Sequence, residues 1–136
     1  IAGEFAGVAG AVTEVIASPL YLDVRLPAGG TFEAPVRMGD TAFVYVHEGE
    51  CLLDAGDDRT VTARNRDTAL FADGDAVRIL GGSSGARFLF VAGTPLGEPV
   101  AWRGPIVMNT EEELRKAWEE LEEGTFIKSK ADGKES

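Results

Sequence analysis

Leu20-Tyr21-Leu22-Asp23-Val24-Arg25-Leu26 alternates along its whole length. A period of two residues suits an extended strand with one face on a core and the other in water. Leu20, Leu22, Val24 and Leu26 are therefore expected inward, and Asp23 and Arg25 outward. Pro27-Ala28-Gly29-Gly30 ends the run. Short runs of the same kind recur, punctuated by many of the chain's 17 glycines. Thr41–His47 is dense in β-branched and aromatic residues and reads as a strand. His47-Glu48-Gly49-Glu50 reads as a turn into Cys51-Leu52-Leu53, and Ala55-Gly56-Asp57-Asp58 as a tight turn. Arg59–Thr62 and Thr68–Phe71 are further short strands. Ala76–Leu80 and Arg87–Ala92 read as a hairpin joined by Gly81-Gly82-Ser83-Ser84-Gly85. Strands at this spacing predict an all-β sandwich or small barrel.

The pattern changes after Gly93. Thr94-Pro95-Leu96-Gly97-Glu98-Pro99 predicts an extended connector. Thr110 then offers an N-cap, with Glu113 three residues on to complete a capping box. Glu111, Glu112 and Glu113 set negative charge at the positive end of the helix dipole. Leu114, Ala117, Trp118 and Leu121 fall on one helical face. Glu111 with Arg115, and Glu112 with Lys116, form i,i+4 pairs, and Gly124 is placed to stop the helix. The expected plan is one all-β domain closed by a single acidic C-terminal α-helix.

The 136 residues suffice for one domain with a real core. A net charge of -10 with no Lys/Arg stripe excludes nucleic acid as an expected partner and disfavours an anionic membrane surface. No stretch approaches the roughly 20 apolar residues that cross a bilayer, and no charged-then-apolar leader is visible in these residues. Cys51 is the one cysteine, so neither an internal disulfide nor a cysteine-based zinc site is expected. Packing is its expected role, and the cytoplasm the expected compartment.

Two features together resemble the pirin family. The first is Gly97-Glu98-Pro99-Val100, then Gly104-Pro105-Ile106-Val107-Met108-Asn109-Thr110 with the acidic residues after it, then Gly124-Thr125-Phe126. This looks like the C-terminal pirin signature. The second is Ala42–Val46 before a Glu-Gly pair, and Arg87-Phe88-Leu89 before Gly93-Thr94-Pro95-Leu96, similar to the second barrel of these two-barrel proteins. The resemblance implies a cupin, or jelly-roll, β-barrel with one C-terminal α-helix. It places a pirin-like C-terminal cupin domain over residues 1–127: barrel about 1–93, connector 94–109, helix about 110–123, then a disordered polar tail over 128–136. It also implies that the family's iron, held by three His and one Glu, belongs to an N-terminal barrel absent from this chain.

The first cupin motif, G-x5-H-x-H-x4-E-x6-G, fits from Gly29 to Gly49 and sets Pro35, Arg37 and Ala42 at ligand positions. The second motif aligns with Ala72-Asp73-Gly74 and sets Val77 at its histidine position. None of the four is a ligand for iron or zinc, and Arg37 is expected to bring positive charge to the cavity. No catalytic residue, cofactor site or metal site is assigned. His47, the one histidine, is expected at a surface or edge. Ser83 and Ser84 lack a His-Asp partner, and the glycines around them form no phosphate loop. Asp54, Asp57 and Asp58 read as a solvated turn in preference to a calcium site. Glu119, Glu120, Glu122 and Glu123 read as the wet face of the helix.

The expected role is thus a structural and interaction half, not an enzyme by itself. The resemblance gives the parent pirin an iron-dependent flavonol (quercetin) 2,3-dioxygenase activity or a role in transcriptional coregulation. The expected partner is the parent's N-terminal cupin domain, or a second copy, through a surface containing Trp102, Ile106, Met108 and Trp118, with Phe5 and Val107 as further candidates. The alternative is a metal-free cupin module that takes a small acidic ligand near Arg37, Arg78 and Arg25. A barrel filled by Phe43, Tyr45, Phe88 and Phe90 would argue against that alternative.

Overall fold

A computed structural model describes residues 1–54 and 59–128. The turn expected at Ala55–Asp58, with Asp57 and Asp58, and the tail beyond Lys128 lie outside the described residues. Contacts divide the chain into two compact units, Ile1–Leu96 and Gly97 onward.

The first unit is organised by two long antiparallel strands, β5 (Thr41–Asp54) and β8 (Ala76–Gly93). Each serves two leaves of a jelly roll. In one leaf β3 (Leu20–Leu26) pairs with the end of β8, and β7 (Thr68–Leu70) pairs with Phe43–Tyr45 of β5. In the other, β4 (Thr31–Pro35) pairs with the start of β8, and β6 (Thr60–Arg64) pairs with the end of β5. Two-residue strands β1 (Glu4–Phe5) and β2 (Val8–Ala9) form a small separate hairpin.

The bend between the leaves corrects two expectations. Glu48-Gly49 makes no turn, and Gly81–Gly85 makes no hairpin loop. Both β5 and β8 run straight through, with register shifts between Val46 and Glu48 and between Gly49 and Cys51. Gly49 has φ +71 and Gly85 has φ +80. Their backbones take the left-handed conformation of bulges, which in sequence has the same glycine signature as a turn.

Alternation then builds the core. Ala42, Val44, Val46, Cys51 and Leu53 of β5 are buried, as are Val77, Ile79, Phe88 and Phe90 of β8. Leu20, Leu22, Val24 and Leu26 pack against them, as the pattern predicts. Phe32 from β4 sits edge-on to Phe88 and Phe90, with ring centroids 5.6 and 5.3 Å away, and Phe5 stacks on it at 5.7 Å. The filling is therefore Phe88 and Phe90 with Phe32. Phe43 and Tyr45 fall on the alternate positions of β5 and are only partly buried. Cores of this kind derive most of their stability from burial, about 25 cal/mol per Å² of apolar surface.

In the second unit β9 (Ala101–Arg103) and β10 (Ile106–Met108) form a hairpin inside the region expected to be a plain connector. Gly104 turns it with φ +58. A Cβ there would lie 3.3 Å from the Trp118 ring. Helix α1 (Glu111–Glu122) has Thr110 as N-cap, and the Thr110–Glu113 capping box is formed in both directions. Leu114 and Ala117 bury against Ala101 and Ile106. Glu123 is the C-cap, Gly124 N–H donates to the Leu121 carbonyl, and Thr125 N–H to that of Glu120. These two bonds, with φ +72 at Gly124, make a Schellman stop. Two details differ from expectation. Arg115 pairs with Glu119 instead of Glu111, because an i,i+4 partner is available on either side. Leu121, on the predicted buried stripe, is 44% exposed, since the two-stranded hairpin covers only the first turns.

Candidate functional site

The barrel interior is the first place to seek chemistry. Ala42 and Val77 do point into the core. Pro35 and Arg37 do not. The pleat of β4 buries Phe32 and Ala34 and exposes Thr31, Glu33 and Pro35. Val36 then packs on the core, and Arg37 faces outward. This corrects the expectation that Arg37 charges the cavity. Its Nε donates to Asp40 at 3.2 Å and an Nη to Thr94 at 3.3 Å, while the Thr94 hydroxyl donates to Asp40 at 2.8 Å. The inward positions near the motif are thus Ala34, Val36, Ala42 and Val77, and none can ligate a metal. Among the described residues no polar or charged residue is buried. No group of three or more His, Cys, Asp or Glu is placed to hold a metal among them either. The residues present do not fit an iron centre.

Cys51 is fully buried in this core, and burial pushes its thiol up to about 11. A thiol so placed is a poor nucleophile, since the thiolate is the reactive form.

β6 and β7 are edge strands of opposite leaves, paired with separate stretches of β5. A pocket of about 480 Å³ opens beside them, lined by Leu53, Val61, Ala69, Leu70, Phe71 and Val77, with Asp54 and Asp73 also on its wall. Asp73 accepts a hydrogen bond from the Gly39 N–H at 2.8 Å.

The outer face carries most of the ion pairs. Arg87 forms a two-pronged bond to Asp23, at 3.1 and 2.5 Å. The paired register of Asp23 with Leu89 brings the two side chains together across β3 and β8. The Arg87 guanidinium holds the Asp23 carboxyl below its ordinary value, with His47 adding to the effect. His47 Nε2 stands 3.7 Å from the same carboxylate. Arg25 pairs with Glu48 at 3.8 Å and Arg78 with Glu33 at 3.1 Å. Beside them is a groove of about 590 Å³ lined by Arg25, Glu48, Ser84 and Arg87 among others. Among the described residues no hydrogen bond joins Ser83 or Ser84 to His47, whose nearest charged partner is Asp23.

The expected interaction surface divides by strand pleat. Ile106 is buried, and Met108 and Trp118 pack against the same small core. Trp118 also lies under the Arg103 guanidinium at 5.1 Å. On the opposite face Trp102 pairs with Val107, and they are 72% and 57% exposed. Phe5 is taken up by its stack on Phe32. The free apolar face is thus Trp102 and Val107, with Val100 beside them in sequence and also exposed.

Three comparisons bear on this arrangement. The family model for the pirin C-terminal cupin domain matches residues 21–127. A pirin-like protein of Caulobacter vibrioides is 41% identical over 120 residues, covering 88% of this chain and 41% of the relative. Mouse pirin is 37% identical over 99 residues, covering 72% of this chain and 34% of the relative. The crystal structure of a quercetin 2,3-dioxygenase from Acinetobacter baumannii superposes with a TM-score of 0.81 at 28% identity, covering 93% of this chain and 42% of that one. The chain therefore spans less than half the length of these relatives.

Proposed function

This chain belongs to the pirin family as a C-terminal cupin domain, and from that premise we propose that it is the metal-free structural and interaction half of a pirin-type protein. The observation that carries this reading is the barrel interior. Phe32, Phe88 and Phe90 fill it, and the aligned ligand positions hold Ala42 and Val77 inside and Pro35 and Arg37 outside. Iron-dependent dioxygenation needs ligands and open coordination positions for oxygen and substrate. In this reading, quercetin-type dioxygenation or redox-linked coregulation belongs to an N-terminal iron barrel of the parent, as the family resemblance implies.

The partner in this reading is that N-terminal barrel, and the contact is made by the Trp102 and Val107 face. Exposed aromatic residues on a rigid hairpin are the usual anchors of an interface. In the isolated chain a second copy takes the partner's place. Neither nucleic acid nor a membrane surface is a partner, given the net charge of -10. Among the described residues no helix is long and apolar enough to cross a membrane. A reducing cytoplasm suits the one buried cysteine. The acidic-ligand alternative loses its cations to the outside: the exposed side chains of Arg25, Arg37 and Arg78 each pair with a carboxylate, Glu48, Asp40 and Glu33.

The test is oxygen uptake with quercetin after anaerobic loading with Fe(II). The expected rate equals that of Fe(II) in buffer without protein. A rate well above that control overturns the proposal.

A further inference from the structure

We propose that the inner pleat of the two leaves, where it reaches the edge strands β6 and β7, binds a small neutral apolar molecule of one or two rings. This goes beyond the interaction role, which makes no use of that end of the barrel. Strand register decides which residues form the wall. Leu53 pairs with Val61, and Val44 with Ala69. Residues directly opposite share a face of the sheet. Leu53 and Val44 are buried in the core, so Val61 and Ala69 stand on the core side. Phe71, two residues beyond Ala69, packs against the same core, and Val77 is buried in it. Leu70 pairs with Phe43 and takes the outer face, and Asp54 alternates with Leu53. The inner wall is thus Leu53, Val61 and Val77 from one leaf and Ala69 and Phe71 from the other.

Val61 marks where this wall is open. It shares the pleat of the core, yet it is 51% exposed, while its cross-strand partner Leu53 is 4% exposed. The space these residues border measures about 480 Å³, within the range of small-molecule sites. A ligand that covers Val61 gains about 25 cal/mol per Å² of apolar surface removed from water. The Phe71 ring gives a planar body an aromatic surface to pack on.

The chemistry of the wall selects a neutral occupant. All five inner residues are apolar. Asp73, also beside the pocket, accepts from the Gly39 N–H at 2.8 Å, and Asp54 has a partner as well. A charged group gives up its hydration on such a wall without a counter-ion in return, whereas an apolar ring gives up little.

The experiment compares three molecules with one body: 3-methylindole, indole-3-carboxylate and 3-(aminomethyl)indole. Each is titrated into the ¹⁵N-labelled chain at neutral pH, and amide shifts are followed at Leu53, Val61, Ala69, Phe71 and Val77. Saturable shifts are expected with 3-methylindole. The carboxylate is expected to bind at least about tenfold more weakly, and the amine no more tightly than 3-methylindole. Val61→Trp and, from the other leaf, Ala69→Leu fill the space and are each expected to weaken 3-methylindole at least about tenfold. Leu70→Lys, on the outer face, is expected to change its affinity by no more than about twofold. Thermal melts identify the folded variants, and either filling variant suffices for the test. Absence of saturable shifts, a carboxylate or amine that binds more tightly than 3-methylindole, or a folded filling variant with unchanged affinity overturns the proposal. So does a loss in Leu70→Lys as large as that in the filling variants.

Discussion

Gly49 and Gly85 meet where the two long strands bend: a Cβ built on Gly49 would lie 2.2 Å from the Gly85 carbonyl oxygen. Both residues also carry positive φ. β5 and β8 pass from one leaf to the other here, and their pairing resumes at Cys51 with Gly81 after Gly49 with Ala86. The bend thus needs a bare backbone at both residues, since a Cβ built on Gly85 would lie 2.5 Å from the Leu26 carbonyl oxygen.

Gly49→Ala is therefore expected to destabilise the chain by at least about 2 kcal/mol, combining a left-handed alanine with a backbone overlap. Gly39→Ala separates the two costs. Gly39 has φ +85, but a Cβ there meets nothing within 4 Å, so only the backbone cost of about 1 kcal/mol applies. Urea denaturation of both variants checks the order. Equal losses would show that the close approach at Gly49 costs nothing.

Much of this plan was legible in the residues, and the exceptions share a cause. The alternation of Leu20–Leu26 set a strand and its inward face, and Thr110 with Glu113 set the helix start. Glycine misled at Gly49 and Gly81–Gly85, because a bulge and a turn ask the same conformational freedom of the chain. Thr31–Pro35 escaped notice as a strand since it is short and includes a proline, yet it delivers Phe32 to the centre of the core. The hairpin Ala101–Met108 was hidden for a similar reason: three-residue strands give too short a period to read. At the site, motif spacing identified Ala42 and Val77 as inward. It could not reveal that the pleat of β4 turns Pro35 and Arg37 outward, because motif spacing carries no information on pleat phase.

The Asp23–Arg87 pair predicts an acid-side signature. Asp23 has a lowered pKa in the folded chain, so its contribution is present above the unfolded value near 3.8 and is lost as pH falls through the folded value. Asp23→Asn is expected to be less stable than the parent chain at pH 7, by a small amount typical of an exposed pair. The two melting curves are expected to converge below about pH 4. A difference that persists undiminished at pH 2 would assign the effect to packing instead of charge.

Burial of Cys51 predicts a silent thiol. With its pKa pushed up to about 11 from 9.0, the thiolate population at pH 8 falls roughly a hundredfold before steric protection is counted. Disulfide-exchange labelling with a chromogenic reagent at pH 8 is expected to be at least about a hundredfold slower in the folded chain than in guanidinium. Rapid labelling of the folded chain would contradict the buried placement.

The Trp102–Val107 face predicts concentration-dependent self-association of the isolated chain. Sedimentation velocity across a wide concentration range is expected to show a dimer at the upper end, and Val107→Lys, at a position 57% exposed, is expected to shift it back to monomer with the melting temperature little changed. A strict monomer at high concentration in the unsubstituted chain would count against this face as a contact surface.

Among the described residues the barrel keeps a cupin frame around an interior without metal ligands. Anaerobic equilibrium dialysis against Fe(II), followed by elemental analysis of the protein, tests it most directly. Retained iron is expected not to exceed that of a matched protein without a cupin barrel. Stoichiometric iron that survives exhaustive dialysis would contradict it.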